Sequence, residues 1–210
     1  MSEQEEEKGK STEMMIGLLV AFFGAVLAIA GIGSGKYGGD QNMAAAEATK
    51  AYAWYQSKSI KNTSLEAQKD LLVALTKSGA IAKGYSEGVD SFIVKLETKS
   101  NRYKKEMKEI LEGSDKVGKE NWVQDKNGEF GVIIGAQEWE EKTAYLEMVG
   151  NWFNYTNLFL NLCLVLGAIC LVINNEKTQK LFFTGMMILG IIGTLLCVYS
   201  FYLGLHTPYN

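Results

Sequence analysis

The side chains that can do chemistry are few, and their spacing builds no reaction centre. Histidine occurs once, as His206 in the C-terminal tail, two residues before the single proline, Pro208. Neither a His-based triad nor a multi-histidine metal site forms from that within one chain. The cysteines, Cys163, Cys170 and Cys197, all fall in apolar runs. Cys163 and Cys170 share one helix face, but with no histidine or carboxylate beside them in lipid they read as small hydrophobes. Glu138, Glu140 and Glu141 sit where an amphipathic helix needs solvent-facing charge. The stretch Gly33-Ser34-Gly35-Lys36-Tyr37-Gly38 satisfies G-x-G-x-x-G, yet that pattern holds a pyrophosphate only between a strand and a helix N-terminus. Here an apolar helix precedes it. A Walker-type phosphate loop fails too, because Ala30 stands where its first glycine belongs and Tyr37 where its hydroxyl residue belongs. The glycines are expected to form a flexible hinge. No catalytic, cofactor-binding or metal-ligating residue is assigned, no cofactor is expected, and the chain is read as a non-enzyme.

The elements that carry these residues are set by three apolar runs. All 21 Lys and Arg lie in the N-terminal tail, between Lys36 and Lys142, or in the loop 177–180, which leaves three stretches free of positive charge. Lipid cannot satisfy a bare backbone, so runs long enough to cross the bilayer must be helices or strands of a closed barrel, and runs of about 20 residues are helical. The expected organisation is a disordered acidic tail at 1–13, a first transmembrane helix and uncleaved signal anchor at 14–34, and an extramembrane helical domain at 35–151. A second transmembrane helix follows at 152–173 and a third at 181–205, joined by the polar loop 174–180. Nothing before Pro208 breaks a helix by proline, and the chain is predicted to be all-α: an integral membrane protein with three spans and a helical extramembrane hairpin between the first and second. A net charge of −3 argues against nucleic acid as a partner.

Each span carries a narrow seam. In the first, Gly17, Ala21, Gly24, Ala28 and Gly31 recur at steps of four and three; the third repeats the rhythm with Gly190, Gly193, Cys197, Ser200 and Gly204. The second keeps it with Gly150, Asn154, Asn157, Asn161, Leu164 and Ala168. Small residues let helix backbones approach closely and amides can bond between helices, so the three seams are predicted to face one another. The amides are read as interhelical glue; the sharper alternative is an ion or solute path.

Between the first and second spans, residues from Met43 to about Ser78 lack Gly and Pro and predict a long helix, with Asp40 or Asn42 as its cap. After a break at Gly79 to Gly88, the near-heptad stripe Val89, Phe92, Leu96, Tyr103, Met107 and Ile110 predicts an amphipathic helix to about Glu112. It packs antiparallel on the preceding helix or on a second copy, with its Lys and Glu runs on a solvated face. Residues 113–135 carry an Asn127-Gly128 turn signal; they read as a loop, with a short helix near Lys119 to Gln124 or a short strand at Val132 to Ile134. From Ala136 the helical pattern runs into the second span.

The segment Asp40 to Lys61 resembles the signature of the bacterial domain-of-unknown-function family 4337, in which a Trp and two Tyr precede Gln-Ala-Lys-Ser-Ile-Lys. The matching residues are Tyr52, Trp54, Tyr55, Gln56, Lys58, Ser59, Ile60 and Lys61. Trp and Tyr have exchanged places, and Ser57 stands where Ala is usual. The resemblance implies one span, a charged helical region and a closing two-span hairpin, and it implies no biochemical role.

Two functions fit these readings. One is a non-enzymatic accessory or scaffold subunit of a bacterial membrane assembly, embedded in the lipid bilayer of the inner membrane and binding a membrane protein partner or a further copy of itself. The other is a small oligomeric transport or channel-forming protein that uses the Asn seam. Orientation follows from the positive charges beside the spans: Lys177 and Lys180 occupy the short loop, whereas a long polar region crosses regardless of charge. The polar region is expected outside the cytoplasm.

Overall fold

The structure is a computed structural model that describes residues 3–173 and 175–208. Five α-helices account for most of them: α1 (Glu3–Lys77), α2 (Ser86–Glu112), the short α3 (Ser114–Val117), α4 (Ala136–Val172) and α5 (Glu176–Leu205). One small antiparallel hairpin pairs β1 (Asp125–Lys126) with β2 (Glu129–Phe130). Three helices, α1, α4 and α5, are long and apolar enough to cross a membrane, and α2 lies between the first and second of them. The all-α, three-span architecture is what the apolar runs demand. The chain divides into two compact units, one of residues 1–42 and 144–210 and one of residues 43–143; the second is narrower than the expected domain 35–151.

Several boundaries differ from expectation. Of the tail 1–13 expected to be disordered, residues 1 and 2 lie outside the described residues and α1 already begins at Glu3. The glycine stretch after the first span is no hinge: α1 runs through it without interruption, and Asp40 and Asn42 are interior residues rather than caps. The polar segment 174–180 is mostly the first turns of α5, because Asn175 Oδ1 accepts from the Lys177 and Thr178 backbone N–H groups at 3.1 and 3.3 Å and starts the helix there. The strand suggested at Val132 to Ile134 is absent. Asn127 and Gly128 both have positive φ, 59° and 87°, and so close a tight hairpin turn that places the paired residues on either side of themselves.

In the membrane unit, packing is by rings and branched chains lodged over glycines. A side chain at Gly190 would fall on the Phe23 ring, one at Gly204 on the Tyr37 ring, and one at Gly167 on Val20. A Cβ at Gly33 would lie 2.5 Å from Phe153, and one at Gly193 would lie 2.7 Å from Leu160. The contacts also give direction. Phe23 meets Gly190 and Tyr37 meets Gly204, which advance together, so α1 and α5 are parallel; Val20 meets Gly167 and Phe153 meets Gly33, which run oppositely, so α1 and α4 are antiparallel. Around the fully buried Leu160, Cys163 and Met186, Phe23 closes the core. Tyr37 stacks on Phe153 at 5.6 Å, Phe153 meets Phe201 edge-on at 5.0 Å and Trp152 meets Tyr199 at 5.1 Å, an aromatic layer of the kind found at membrane interfaces.

This corrects the seam assignment for α1. Gly17, Gly24 and Gly31 have no atom within 4 Å of a would-be Cβ, and Ala21 and Ala28 are exposed. The face that packs is Ile16, Phe23, Ala30, Gly33 and Tyr37, all buried. Large side chains on α1 fill the gaps above glycines on α5, and a stripe of small residues facing a stripe of small residues would leave those gaps empty. On α5 the seam holds, with Gly190, Gly193, Cys197, Ser200 and Gly204 all buried. On α4 the amides diverge. Asn154 and Asn161 are exposed, and Asn161 Nδ2 donates to the Asn157 carbonyl of its own helix at 2.8 Å instead of bonding to another helix. Asn157 Oδ1 is buried without a hydrogen-bond partner.

Candidate functional site

In the polar unit, the stretch of α1 past Met43 and α2 form the antiparallel pair that the stripe predicted, and polar side chains hold it in register. Lys58 Nζ donates to the Glu106 carboxylate, Ser100 Oγ donates to Asn62 Oδ1 at 2.7 Å, and Lys104 pairs with Glu66 at 2.8 Å. From Lys58–Glu106 to Asn62–Ser100 the partners climb one helix as they descend the other. The Lys104 ammonium holds the Glu66 carboxyl below the usual carboxylate range. Leu96 and Ile110 are buried, Val89, Tyr103 and Met107 half-buried, while Phe92 is 49% exposed.

The expectation that the Lys and Glu runs of α2 form a solvated face is corrected at Glu106 and Glu109. Glu106 is buried between Lys58 and Arg102, the latter at 2.8 Å. Glu109 is fully buried and is held by neutral donors. Its Oε1 accepts from Ser114 Oγ at 2.8 Å, and its Oε2 from the backbone N–H groups of Val123 and Gln124 at 2.9 and 2.8 Å. Ser114 Oγ in turn accepts from Ile133 N–H at 3.0 Å, and the Ser114 carbonyl accepts from the Trp122 indole at 2.8 Å. One carboxylate thus organises most of residues 113–135. Gly135 permits the closure, because a Cβ there would collide with the backbone of Glu112 and Gly113. A Glu at the end of an amphipathic stripe looks like any solvated carboxylate in sequence, and its partners lie up to fifteen residues away.

The residues of the Asp40 to Lys61 signature divide among three tasks. Lys58 ties α1 to α2 and lies over the Tyr103 ring at 5.4 Å. Tyr52 donates its hydroxyl to Glu140 Oε2 at 2.6 Å, which fastens α1 to the start of α4 and raises the Tyr52 pKa. Tyr55 is half-buried and Gln56 exposed. Trp54 belongs to neither bond. It lines a cleft of about 260 Å³ between α1, the β1 strand and the first turn of α4. Glu47, Lys50 and Trp54 supply one helical face of it; Asp125 and Lys126 come from β1, and Ile133, Ile134 and Trp139 complete the wall. Glu138, expected to be solvated, accepts from Gly135 N–H at 3.0 Å and so caps the helix that carries Trp139.

The family model described as Domain of unknown function (DUF4337) matches residues 12–203 of this layout. The chain belongs to the DUF4337 family. The match extends the resemblance from a 22-residue signature (Asp40 to Lys61) to nearly the whole chain. Comparisons with curated proteins and with solved structures give no match. In this family member, Cys163, Cys170 and Cys197 are free thiols buried in the membrane unit, and His206 at the end of α5 is exposed, its Nδ1 2.9 Å from the Tyr202 carbonyl oxygen.

Proposed function

We infer that the protein is a non-enzymatic accessory or scaffold subunit of a membrane assembly, in which the three spans anchor a helical hairpin that docks a protein partner or a further copy. The observation that supports it is the set of apolar side chains exposed on either side of the α1–α2 turn: Leu71 is 60% exposed, Tyr85 74%, Phe92 49% and Val94 61%. Polar ion pairs fasten the other half of the hairpin, and these four side chains are left to water, where covering a large apolar side chain stabilises by about 1.5–3 kcal/mol. The stripe from Leu96 to Ile110 is occupied within the chain, so docking uses the turn end. A photo-crosslinking amino acid at position 92 in native membranes is expected to give a discrete adduct, lost when Leu71→Ser/Val94→Ser is combined with the same probe in a protein that keeps its thermal midpoint. Absence of any adduct sinks the reading. The alternative of oligomeric transport draws on the exposed amides Asn154 and Asn161, and solute flux in proteoliposomes that vanishes in Asn161→Leu would favour it instead.

The hairpin is proposed to lie outside the cytoplasm of the inner membrane, because Lys177 and Lys180 hold the short α4–α5 connection inside. In a background with the native cysteines replaced by Ala, Ser91→Cys is expected to react with an impermeant maleimide in intact cells, and Glu176→Cys to stay protected. Both positions are exposed, so the reverse pattern overturns the orientation.

A further inference from the structure

The cleft beside Trp54 has a charge arrangement that neither the bundle nor the docking hairpin requires. From α1 it receives one carboxylate, Glu47, and one ammonium, Lys50; from β1 it receives another of each, Asp125 and Lys126. Each wall therefore presents both signs, and the formal charges at the cleft cancel. A ligand carrying a single charge meets as many like charges as opposite ones, whereas a ligand with both charges finds a partner for each. Two indoles, Trp54 and Trp139, line the cleft from different helices and give it aromatic surface against which a ring can pack. At about 260 Å³ the space is below the roughly 300–1,000 Å³ of common cofactor and drug-sized sites, which excludes a nucleotide and suits a single amino acid.

We propose that this cleft binds a free aromatic amino acid, or a zwitterion of that size and shape. The ring lies against Trp54 and Trp139, the carboxylate faces Lys50 and Lys126, and the ammonium faces Glu47 and Asp125. The groups that must turn to the ligand are held lightly. Glu47 and Lys50 pair with each other at 2.6 Å, but their side chains are 38% and 71% exposed, and an exposed pair of this kind contributes only about 0–1 kcal/mol. Asp125 Oδ1 accepts from Gly128 N–H at 2.6 Å, which fixes the carboxylate at the turn and leaves Oδ2 for the ligand. The scaffold reading does not depend on this site.

The test is calorimetric titration of the full-length protein in detergent with phenylalanine, phenethylamine, 3-phenylpropionate and glycerophosphoethanolamine. Phenylalanine is expected to saturate with Kd below about 1 mM, and both single-charge analogues and the ring-free zwitterion to bind at least about tenfold more weakly, a difference of about 1.4 kcal/mol. Glu47→Gln/Lys50→Gln, which alters two partly solvated side chains, is expected to weaken phenylalanine by a similar factor, with circular dichroism unchanged. Trp54→Leu is expected to do the same and to reduce any fluorescence change that accompanies binding, Trp139 still reporting from the cleft. Failure of phenylalanine to saturate overturns the proposal, as does equal binding of either single-charge analogue, equal or tighter binding of glycerophosphoethanolamine, or an unaltered affinity in the Glu47→Gln/Lys50→Gln variant.

Discussion

Gly190→Leu disrupts the membrane unit, while Gly24→Leu leaves it nearly unchanged. At position 190 any side chain falls on the Phe23 ring, and Phe23 is 3% exposed in the core formed with Leu160, Cys163 and Met186. Neither partner has room to yield. The ring cannot swing out without opening the α1–α5 contact, and a leucine cannot adopt a rotamer that avoids a ring lying over its own Cβ. Overfilling a packed site costs about 1–3 kcal/mol and occasionally more, and here the upper end is expected because the clash begins at Cβ. At position 24 nothing lies within 4 Å, so a leucine there projects into the surroundings of the helix. Thermal unfolding in detergent, followed by circular dichroism, is the measurement. Equal losses for the two variants would show that packing of α1 uses the small-residue stripe after all.

Glu109→Ala is expected to release residues 113–135 from the polar unit. The alanine leaves three donors without their acceptor: the Val123 and Gln124 backbone N–H groups and the Ser114 hydroxyl. Each stranded buried donor costs about 1–3 kcal/mol, and partial hydration of the opened loop limits the total, so a loss on the order of 3 kcal/mol is expected. Glu109→Gln keeps one acceptor oxygen and should lose less. Exposed Glu97 provides the control, with Glu97→Ala within about 0.5 kcal/mol of the parent. Limited trypsin digestion reads the loop directly through Lys116, Lys119 and Lys126, which are exposed lysines of that segment. Cleavage there should accelerate strongly in Glu109→Ala and not in Glu97→Ala; resistance equal to the parent would mean that the loop is held by Gly135 and Trp122 without the carboxylate.

Elements whose cause is local were legible in the sequence. The three spans follow from runs with no charge, since the cost of unsatisfied backbone in lipid acts on every residue of a run and leaves only helix. The end of α1 at Lys77, the extent of α2 to Glu112, the start of α4 at Ala136 and the Asn127-Gly128 turn have similarly local causes. So does the stripe that pairs α2 with α1, because a heptad-like repeat commits a helix to one buried face. Of the site residues, Tyr52, Trp54 and Lys58 were marked by the signature, though their tasks were not.

Tertiary structure decided everything that depends on which surface meets which. Small residues recurring every three or four positions identify a narrow face of a helix, and they do not say whether a neighbour fills it. On α5 that face received Phe23, Leu160 and Tyr37, while on α1 it received nothing. The glycines after the first span read as a hinge because glycine lowers helix stability, yet an apolar helix packed along its length tolerates that loss, and Gly33 is where the Phe153 ring fits. Glu109 and the cleft around Trp54 were invisible for a different reason. Their partners come from α3, β1, α4 and the segments that join them, and a carboxylate acquires its role only when the fold brings those donors to it. Periodicity reports how a helix distributes its side chains around its own axis, and only the assembled chain reports what each of them touches.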